Sequence, residues 1–466
     1  MTPLERFRRM TAGKTVSVIG LGVSNRPLVD MLLDAGATVT ARDRNPVSDP
    51  ETFTGRGVRL ITGDGYLNDL HEEIVFKTPG MRFDLPELTQ AVASGSTLTS
   101  EMEVFFELCP SERTIAVTGS DGKTTTTTLI AKMLEAEGHR VFLGGNIGRP
   151  LLPQLGEITP EDYVVLELSS FQLHTMKQSP HVAVMTNITP NHLDVHKSYQ
   201  EYIDAKRNIY LYQKPGDLLV LNRGNEVTAS FTGEAHGSVR DFSYEGRTEN
   251  GIELDDGILT LVRNGVKTPL FPASDIVIPG RHNVENYMAA ILAVADYVSP
   301  ESMHRVASTF GGVEHRLQLI RELDGVKYYN SSIDSSPNRT NAALSVFRQK
   351  VILLCGGKDK GIPYDDLAAP LLEHVKKLLL IGLTGPKIES ALLAECERRG
   401  IENPIPITHC STYPELVETA RALAEPGDIV ILSPASTSFD MFRNFMDRGD
   451  TFARLVRALP DEAPKA

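Results

Sequence analysis

Apolar and polar positions along this chain switch repeatedly between a short-run pattern and a three-to-four-residue period. Near the start, the run Thr15–Ile19 is followed by a periodic stretch from Pro27 to Ala35 and then by a second run at Thr38–Ala41. Short apolar runs predict strands and the longer periodic stretch predicts a helix. Glu73–Lys77 continues as a strand and Pro86–Ala93 as a helix, and the unit ends near Glu101. Alternation of this kind implies a parallel sheet with helices on its faces. A second such segment opens at Arg113, with a helix over Leu129–Glu137 and strands at Tyr163–Leu168 and Val182–Asn187 that read as buried on both sides. Residues 226–278 interrupt it with polar, glycine-punctuated strands, where Asn250-Gly251 and Asp256-Gly257 predict hairpin turns. Helical periodicity returns at Val284–Tyr297, and the segment closes near Gly312. A third α/β segment carries strands at Gly325–Asn330, Val351–Cys355, Lys377–Ile381, Pro404–Thr408 and Asp428–Leu432. The expected class is α/β in three domains, 1–101, 102–312 and 313–466, each a largely parallel sheet flanked by helices.

Composition narrows the function. A length of 466 residues exceeds what one hydrophobic core usually supports. With 41% hydrophobic and 23% charged residues the chain is an ordinary globular protein. The net charge of −13 counts against general attraction to nucleic acid or to an anionic membrane surface, so any anionic ligand must be held by local charge. The four cysteines are scattered without metal-ligand spacing and read as reduced thiols. Arg8-Arg9 is not followed by an apolar run, and no stretch of 18 apolar residues occurs. Neither export nor membrane insertion is expected, and the cytoplasm is the expected compartment.

The sharpest motif is T-G-S-D-G-K-T at 118–124. A strand that breaks into glycines and restarts as a helix aims backbone N–H groups at one point, where the helix dipole also favours negative charge. Gly119, Ser120, Asp121, Gly122, Lys123, Thr124 and Thr125 would then cradle a nucleoside triphosphate, with Lys123 on the β/γ-phosphates and the Thr124 hydroxyl on Mg²⁺. Only two residues separate the glycines where the usual motif has four, and a packing turn is the bland alternative. Glu167 ends an apolar strand, placed either to hold Mg²⁺ or to pair with a lysine. Gly20-Leu21-Gly22-Val23-Ser24-Asn25, with Asp43 at the next strand end, outlines a dinucleotide fingerprint whose third glycine is replaced by Asn25. A nucleotide diphosphate, NAD and plain packing all fit it.

Other clusters are less decisive. His192, Asp194 and His196 crowd a strand exit and read as metal or phosphate contacts or as surface groups, with no spacing that supports zinc. Lys206, on an amphipathic helix, reads from spacing as a solvated lysine. Asn283 and Asn286 suit a base edge, a metal-bound water or a helix cap. Arg316 could clamp phosphate in bidentate fashion. The loops at 356–361 and 433–440 each follow a strand of the third segment, and a cationic loop facing a hydroxyl-rich one suits a small carboxylate.

Taken together the blocks G-L-G-V-S-N with Asp43, T-G-S-D-G-K-T, G-G-N-I-G at 144–148, E-L-S-S-F-Q-L at 167–173, H-N-V-E-N at 282–286, His315-Arg316 and S-P-A-S-T-S-F-D-M-F-R-N-F at 433–445 resemble the Mur ligase superfamily, and within it the branch that adds D-glutamate. The shortened phosphate loop is that family's own form. The resemblance implies a Rossmann-like N-terminal domain, a P-loop ATPase-like central domain and a Rossmann-like C-terminal domain. It also implies an ATP-dependent ligase with UDP-N-acetylmuramoyl-L-alanine and D-glutamate as substrates, two Mg²⁺ ions and a monomeric chain. It assigns Val23, Ser24, Asp43, Asn146 and His192 to the UDP-linked substrate, with His192 also near metal. Glu167 falls to Mg²⁺, and Lys206 matches a lysine that the family carbamylates to bring in the second ion. Asn283, Asn286 and Arg316 fall on ATP contacts, and Lys360, Ser438, Phe439 and Phe445 on the glutamate side.

Two departures stand out. Asp121 occupies a loop position usually filled by Asn. The run Asn330-Ser331-Ser332-Ile333-Asp334-Ser335-Ser336 stands where N-D-S-K-A-T-N is common, so Ser331 lacks a carboxylate and Ile333 a lysine, for which Asp334 or Lys358 could compensate. Three other readings stay open: a related amide ligase with another acceptor such as L-glutamate, an NAD-dependent oxidoreductase, and a nucleotide-binding regulator.

Overall fold

The alternating pattern folds into three sheets, largely parallel and flanked by helices. The computed structural model describes residues 1–461 apart from Val23, Ser48, Leu193, Asp194 and Lys360. The expectations placed on Val23, Asp194 and Lys360 lie outside the described residues. Packing divides the chain into two compact units, residues 1–275 with 284–307 and residues 276–283 with 308–466.

The first unit holds two sheets. Strands β1 (Thr15–Ile19), β2 (Thr38–Asp43), β3 (Arg59–Thr62), β4 (Ile74–Lys77) and β5 (Thr97–Thr99) lie in the order β3-β2-β1-β4-β5, all parallel. The edge strands β3 and β5 escape the periodicity because they carry no fully buried residue. The second sheet comprises β6 (Thr114–Thr118), β7 (Val141–Gly145), β8 (Tyr163–Glu167), β9 (Val182–Met185), β10 (Leu218–Asn222), β11 (Ser238–Ser243), β12 (Gly251–Asp255), β13 (Ile258–Arg263) and β14 (Val266–Pro272). Its order is β14-β13-β12-β11-β10-β9-β6-β8-β7. Strands β6, β8, β9 and β10 are buried along their whole length, as their unbroken apolar runs require. One apolar core, containing Val16, Leu28, Phe105, Leu152, Leu166 and Leu221, runs continuously through both sheets of this unit.

The hairpin expectation at Asn250-Gly251 is corrected. Strands β11 and β12 pair in parallel, and Gly251 sits inside β12, where an added Cβ would collide with the carbonyl of Asp241. That glycine permits a close strand approach rather than a turn. Asp256-Gly257 does turn the antiparallel β12–β13 hairpin, and Asn264-Gly265 turns β13–β14. Both turns have positive φ at both residues, which an Asp-Gly or Asn-Gly pair adopts cheaply.

In the second unit, β15 (Gln318–Leu323), β16 (Val326–Asn330), β17 (Val351–Gly356), β18 (Val375–Ile381), β19 (Ile407–Cys410) and β20 (Ile429–Leu432) form a sheet in the order β15-β16-β20-β17-β18-β19. Only the edge strand β15 runs antiparallel. Successive side chains of β17 serve opposite faces: Val351, Leu353 and Cys355 enter one core, Ile352 and Leu354 the other. The four cysteines are free thiols.

Candidate active site

The loop between β6 and the helix Lys123–Ala136 turns on two glycines at positive φ, +154° at Gly119 and +78° at Gly122. A Cβ at Gly119 would strike the Thr186 hydroxyl, and one at Gly122 the Asn286 amide oxygen. No side chain caps the helix, so its first-turn N–H groups, Thr125 among them, face the loop. The exit of β9 staples the loop from below: Ser120 N–H donates to the Asn187 carbonyl (2.8 Å), Asp121 N–H to Asn187 Oδ1 (3.0 Å), and the Thr186 hydroxyl to the Asp121 carbonyl (2.6 Å). Lys123 Nζ folds back onto the carbonyls of Gly119 and Ser120, each at 2.9 Å.

Glu167 lies beside this loop because β8 neighbours β6 and ends level with it. Its carboxylate is 2% exposed and accepts from the Thr124 hydroxyl at 2.6 Å and from Asn146 Nδ2 at 2.8 Å. Gly145 and Asn146 are drawn in by the backbone, since Asn146 N–H donates to the Glu167 carbonyl at 2.8 Å. An anionic carboxylate, a threonine hydroxyl and an amide converging at the mouth of a phosphate-sized loop form an oxygen-donor set that suits Mg²⁺. Asn286 reaches the same helix, where the Thr126 hydroxyl donates to its Oδ1 at 3.3 Å.

Lys206 corrects the solvated-lysine expectation. The helix Tyr199–Arg207 packs beneath the loop, leaving Lys206 1% exposed. Its Nζ donates to the Gly119 carbonyl (2.8 Å) and to Thr118 Oγ1 (3.2 Å) and lies 4.8 Å from the Tyr202 ring centroid. Burial, reinforced by the nearby Lys123 ammonium, holds its pKa well below the ordinary lysine value. The two histidines separate. His192 is exposed, with φ +54° and its ring 5.2 Å from Phe171 and 6.4 Å from Tyr202. His196 is buried, its Nε2 3.0 Å from Ser170 Oγ, and burial lowers its pKa.

At the first sheet, Asp43 Oδ2 accepts from Leu21 N–H and Oδ1 from Asn45 N–H, both at 2.8 Å. Asn25, in place of the third glycine, latches the loop through the carbonyls of Ile19 (3.1 Å) and Gly20 (2.9 Å). Ser24 begins the helix Asn25–Asp34 with no capping bond from its side chain.

In the second unit the two predicted loops do meet. Lys358 N–H donates to the Thr437 carbonyl at 2.8 Å and the Thr437 hydroxyl to the Lys358 carbonyl at 3.2 Å. Ser438 is buried, Phe439 is exposed, and Phe445 opens the helix Phe445–Arg457. Arg316 lies near the start of this unit's third-sheet segment, and Asn283 Nδ2 donates to the Pro279 carbonyl at 2.6 Å rather than capping the helix Arg281–Val294, of which it is the third residue.

Residues 117–294 match the family model of the Mur ligase middle domain, and residues 315–436 that of the Mur ligase glutamate ligase domain. The chain is 54% identical to the UDP-N-acetylmuramoylalanine–D-glutamate ligase of Ruminiclostridium cellulolyticum, over 98% of this chain and 99% of that protein. It is 52% identical to the protein of the same name from Acetivibrio thermocellus, with the same coverage. The chain belongs to the Mur ligase family. Solved structures agree on the fold: the UDP-N-acetylmuramate–alanine ligase of Thermotoga maritima superposes with a TM-score of 0.57 at 18% identity, covering 96% of this chain and 99% of that one. MurF of Acinetobacter baumannii gives 0.56 at 19%, covering 98% and 93%.

Several residues of this Mur ligase carry structural tasks that motif reading overlooks. Arg448 is 1% exposed and ties Ser332 to the 433–438 loop, donating to the Ser332 hydroxyl (2.9 Å), the Ser332 carbonyl (2.7 Å) and the Ser436 carbonyl (2.9 Å). Arg82 grips both Asp84 and Glu201, bonding Glu201 at 2.8 Å and so linking the first sheet's segment to the helix that bears Lys206. Neither arginine stands out in a surface-like stretch of sequence. Only a fully matched set of distant acceptors marks them.

Proposed function

We propose that this chain joins D-glutamate to UDP-N-acetylmuramoyl-L-alanine, driven by ATP through an acyl phosphate, as a cytoplasmic step of peptidoglycan precursor synthesis. The observation that carries the reading is the junction of Thr124, Asn146 and Glu167 beside the glycine loop, in a chain matched end to end by D-glutamate ligases.

The chemistry follows from what a carboxylate lacks. Its oxygen is a poor leaving group, so an amine does not displace it at neutral pH. Transfer of the γ-phosphoryl group to the muramoyl-alanine carboxylate creates an acyl phosphate; the glutamate amine then attacks the acyl carbon, and phosphate leaves. In this reading Gly119–Thr125, Asn283, Asn286 and Arg316 bind ATP, and Lys123 neutralises charge on the moving phosphoryl group. Thr124, Glu167, His192 and, once carbamylated, Lys206 hold two Mg²⁺ ions. When bound, the ions neutralise charge on the phosphate oxygens. Val23, Ser24, Asp43, Asn146 and His192 bind the UDP-linked substrate; Lys360, Ser438, Phe439 and Phe445 bind D-glutamate. The division at residues 101 and 312 gives each substrate a domain, and the chain acts as a monomer.

The carbamylation reading is supported by the buried, charge-averse setting of Lys206: a neutral amine adds to carbon dioxide and a charged one does not. Carbon-13-labelled bicarbonate should give a carbamate signal that Lys206→Arg lacks. For the reaction itself, ADP and phosphate should appear only when UDP-N-acetylmuramoyl-L-alanine and D-glutamate are both present. Equal turnover with L-glutamate, or ATP hydrolysis without a new amide, would sink the assignment.

A further inference from the structure

Two residues that are not glycine stand in left-handed backbone on either side of Arg316: His315 at φ +62° and Leu317 at φ +44°. Such conformations cost about 1–2 kcal/mol each for residues with a Cβ and persist only where the surroundings over-determine them. The surroundings here come almost entirely from the run 330–334. Leu317 N–H donates to Ser331 Oγ at 3.2 Å, Ile333 N–H donates to the His315 carbonyl at 3.1 Å, and Asn330 Nδ2 lies 3.2 Å from His315 Nδ1. The Ser331 hydroxyl in turn hydrogen-bonds the Asp334 carboxylate, which is 6% exposed and also accepts from Ser433 Oγ at 2.9 Å. Asp334 N–H closes the turn onto the Ser331 carbonyl at 3.0 Å.

A hydroxyl that accepts from one group and donates to a carboxylate is oriented by that carboxylate, and its lone pair is more basic for it. We propose that Asp334, acting through Ser331, is the positioning residue that fixes the His315–Leu317 backbone and so presents Arg316 to the nucleotide. The serine–aspartate pair does in two residues what a carboxylate at position 331 would do in one, since an aspartate there could accept directly from Leu317 N–H. The buried carboxylate is thus displaced along the chain by three residues rather than lost. The inference rests on the reading that Arg316 contacts ATP.

Steady-state kinetics on the full chain, with ATP and D-glutamate varied separately, tests both statements. Arg316→Ala should raise KM for ATP about tenfold, the loss of one charge-assisted contact. Asp334→Asn should raise it severalfold, leaving KM for D-glutamate within about twofold, because an amide oxygen cannot serve both hydroxyls as a carboxylate does. Ser331→Asp combined with Asp334→Ser should return KM for ATP to near the parent value, a rescue that a purely structural role for Asp334 would not give. If Arg316→Ala impairs ATP use while Asp334→Asn behaves as the parent, the positioning role is wrong. A folded double variant as impaired as Asp334→Asn overturns it as well. If Arg316→Ala leaves KM for ATP unchanged, the nucleotide role of Arg316 fails first and takes the inference with it. Should Asp334→Asn not fold, the double variant decides alone: parent-like KM for ATP upholds the role and a raised one refutes it.

Discussion

Two loops in this protein adopt left-handed backbone, and they are built in opposite ways. The loop at 119–122 uses glycines, for which positive φ costs almost nothing, so its shape is written into its own residues. The loop at 315–317 uses His315 and Leu317, for which the same backbone is strained, so its shape is imposed by partners at 330–334. The first is therefore tolerant of its surroundings and intolerant of a side chain. The second should be the reverse, and its geometry is only as secure as a serine hydroxyl and a buried carboxylate.

The largest expected effect lies at the first loop. Lys123→Ala should reduce ATP-dependent ligation by about a thousandfold, because it removes the one cation at the loop's mouth; this is the upper range for losing a single preorganised electrostatic contact. Near-normal turnover in a coupled ADP-release assay would remove the loop from the chemistry altogether. Gly122→Ala should come next. The added methyl group forces left-handed strain of about 1–2 kcal/mol and displaces Asn286, so both the thermal unfolding midpoint and ATP affinity should fall. Ser331→Ala sharpens the contrast from the other side. It leaves the Leu317 N–H without its acceptor and should cost about 1–2 kcal/mol in denaturant unfolding. An unchanged unfolding curve would mean that the 315–317 backbone is held without that bond.

The smallest effect is a pH dependence. Burial pushes the Asp334 carboxyl up to about 6, although its bonds from Ser331 and Ser433 and the charges of Arg316 and Arg339 pull the other way. Cys355 and Arg448 also sense the same carboxylate. A carboxyl whose folded value is raised binds its proton more tightly when folded, so this group adds stability as pH falls through about 6. Thermal midpoints compared with Asp334→Asn should shift in the parent's favour between about pH 7 and about pH 5. Asp84 and Glu201 work in the opposite sense: hydrogen bonds from Arg82 depress both, and their contribution is lost only at acid pH below the ordinary carboxylate range. The two trends are separable because Asp334→Asn alters only the first.

Much of the candidate site was legible before folding. The glycine spacing, Lys123-Thr124 and a glutamate ending an apolar strand are local features, and each sits at the end of an element whose period is visible. Lys206 was not legible, because what buries it is a contact with Gly119 across 87 residues of sequence, and an amphipathic helix does not announce which neighbour its polar face meets. Asn250-Gly251 was misread for a similar reason: a glycine that permits close strand approach looks the same in sequence as one that turns the chain.

By itself the sequence determined the order of strands and helices, the position of the phosphate-sized turn and the family, because those depend on period, glycine placement and short motifs. The tertiary structure alone decided which groups share a hydrogen bond. It sank Lys206 into a neutral setting, joined Thr124 and Asn146 at Glu167, and held Arg316 between two strained residues. Those outcomes turn on distances of a few ångströms between residues far apart in the chain, and no local preference encodes them.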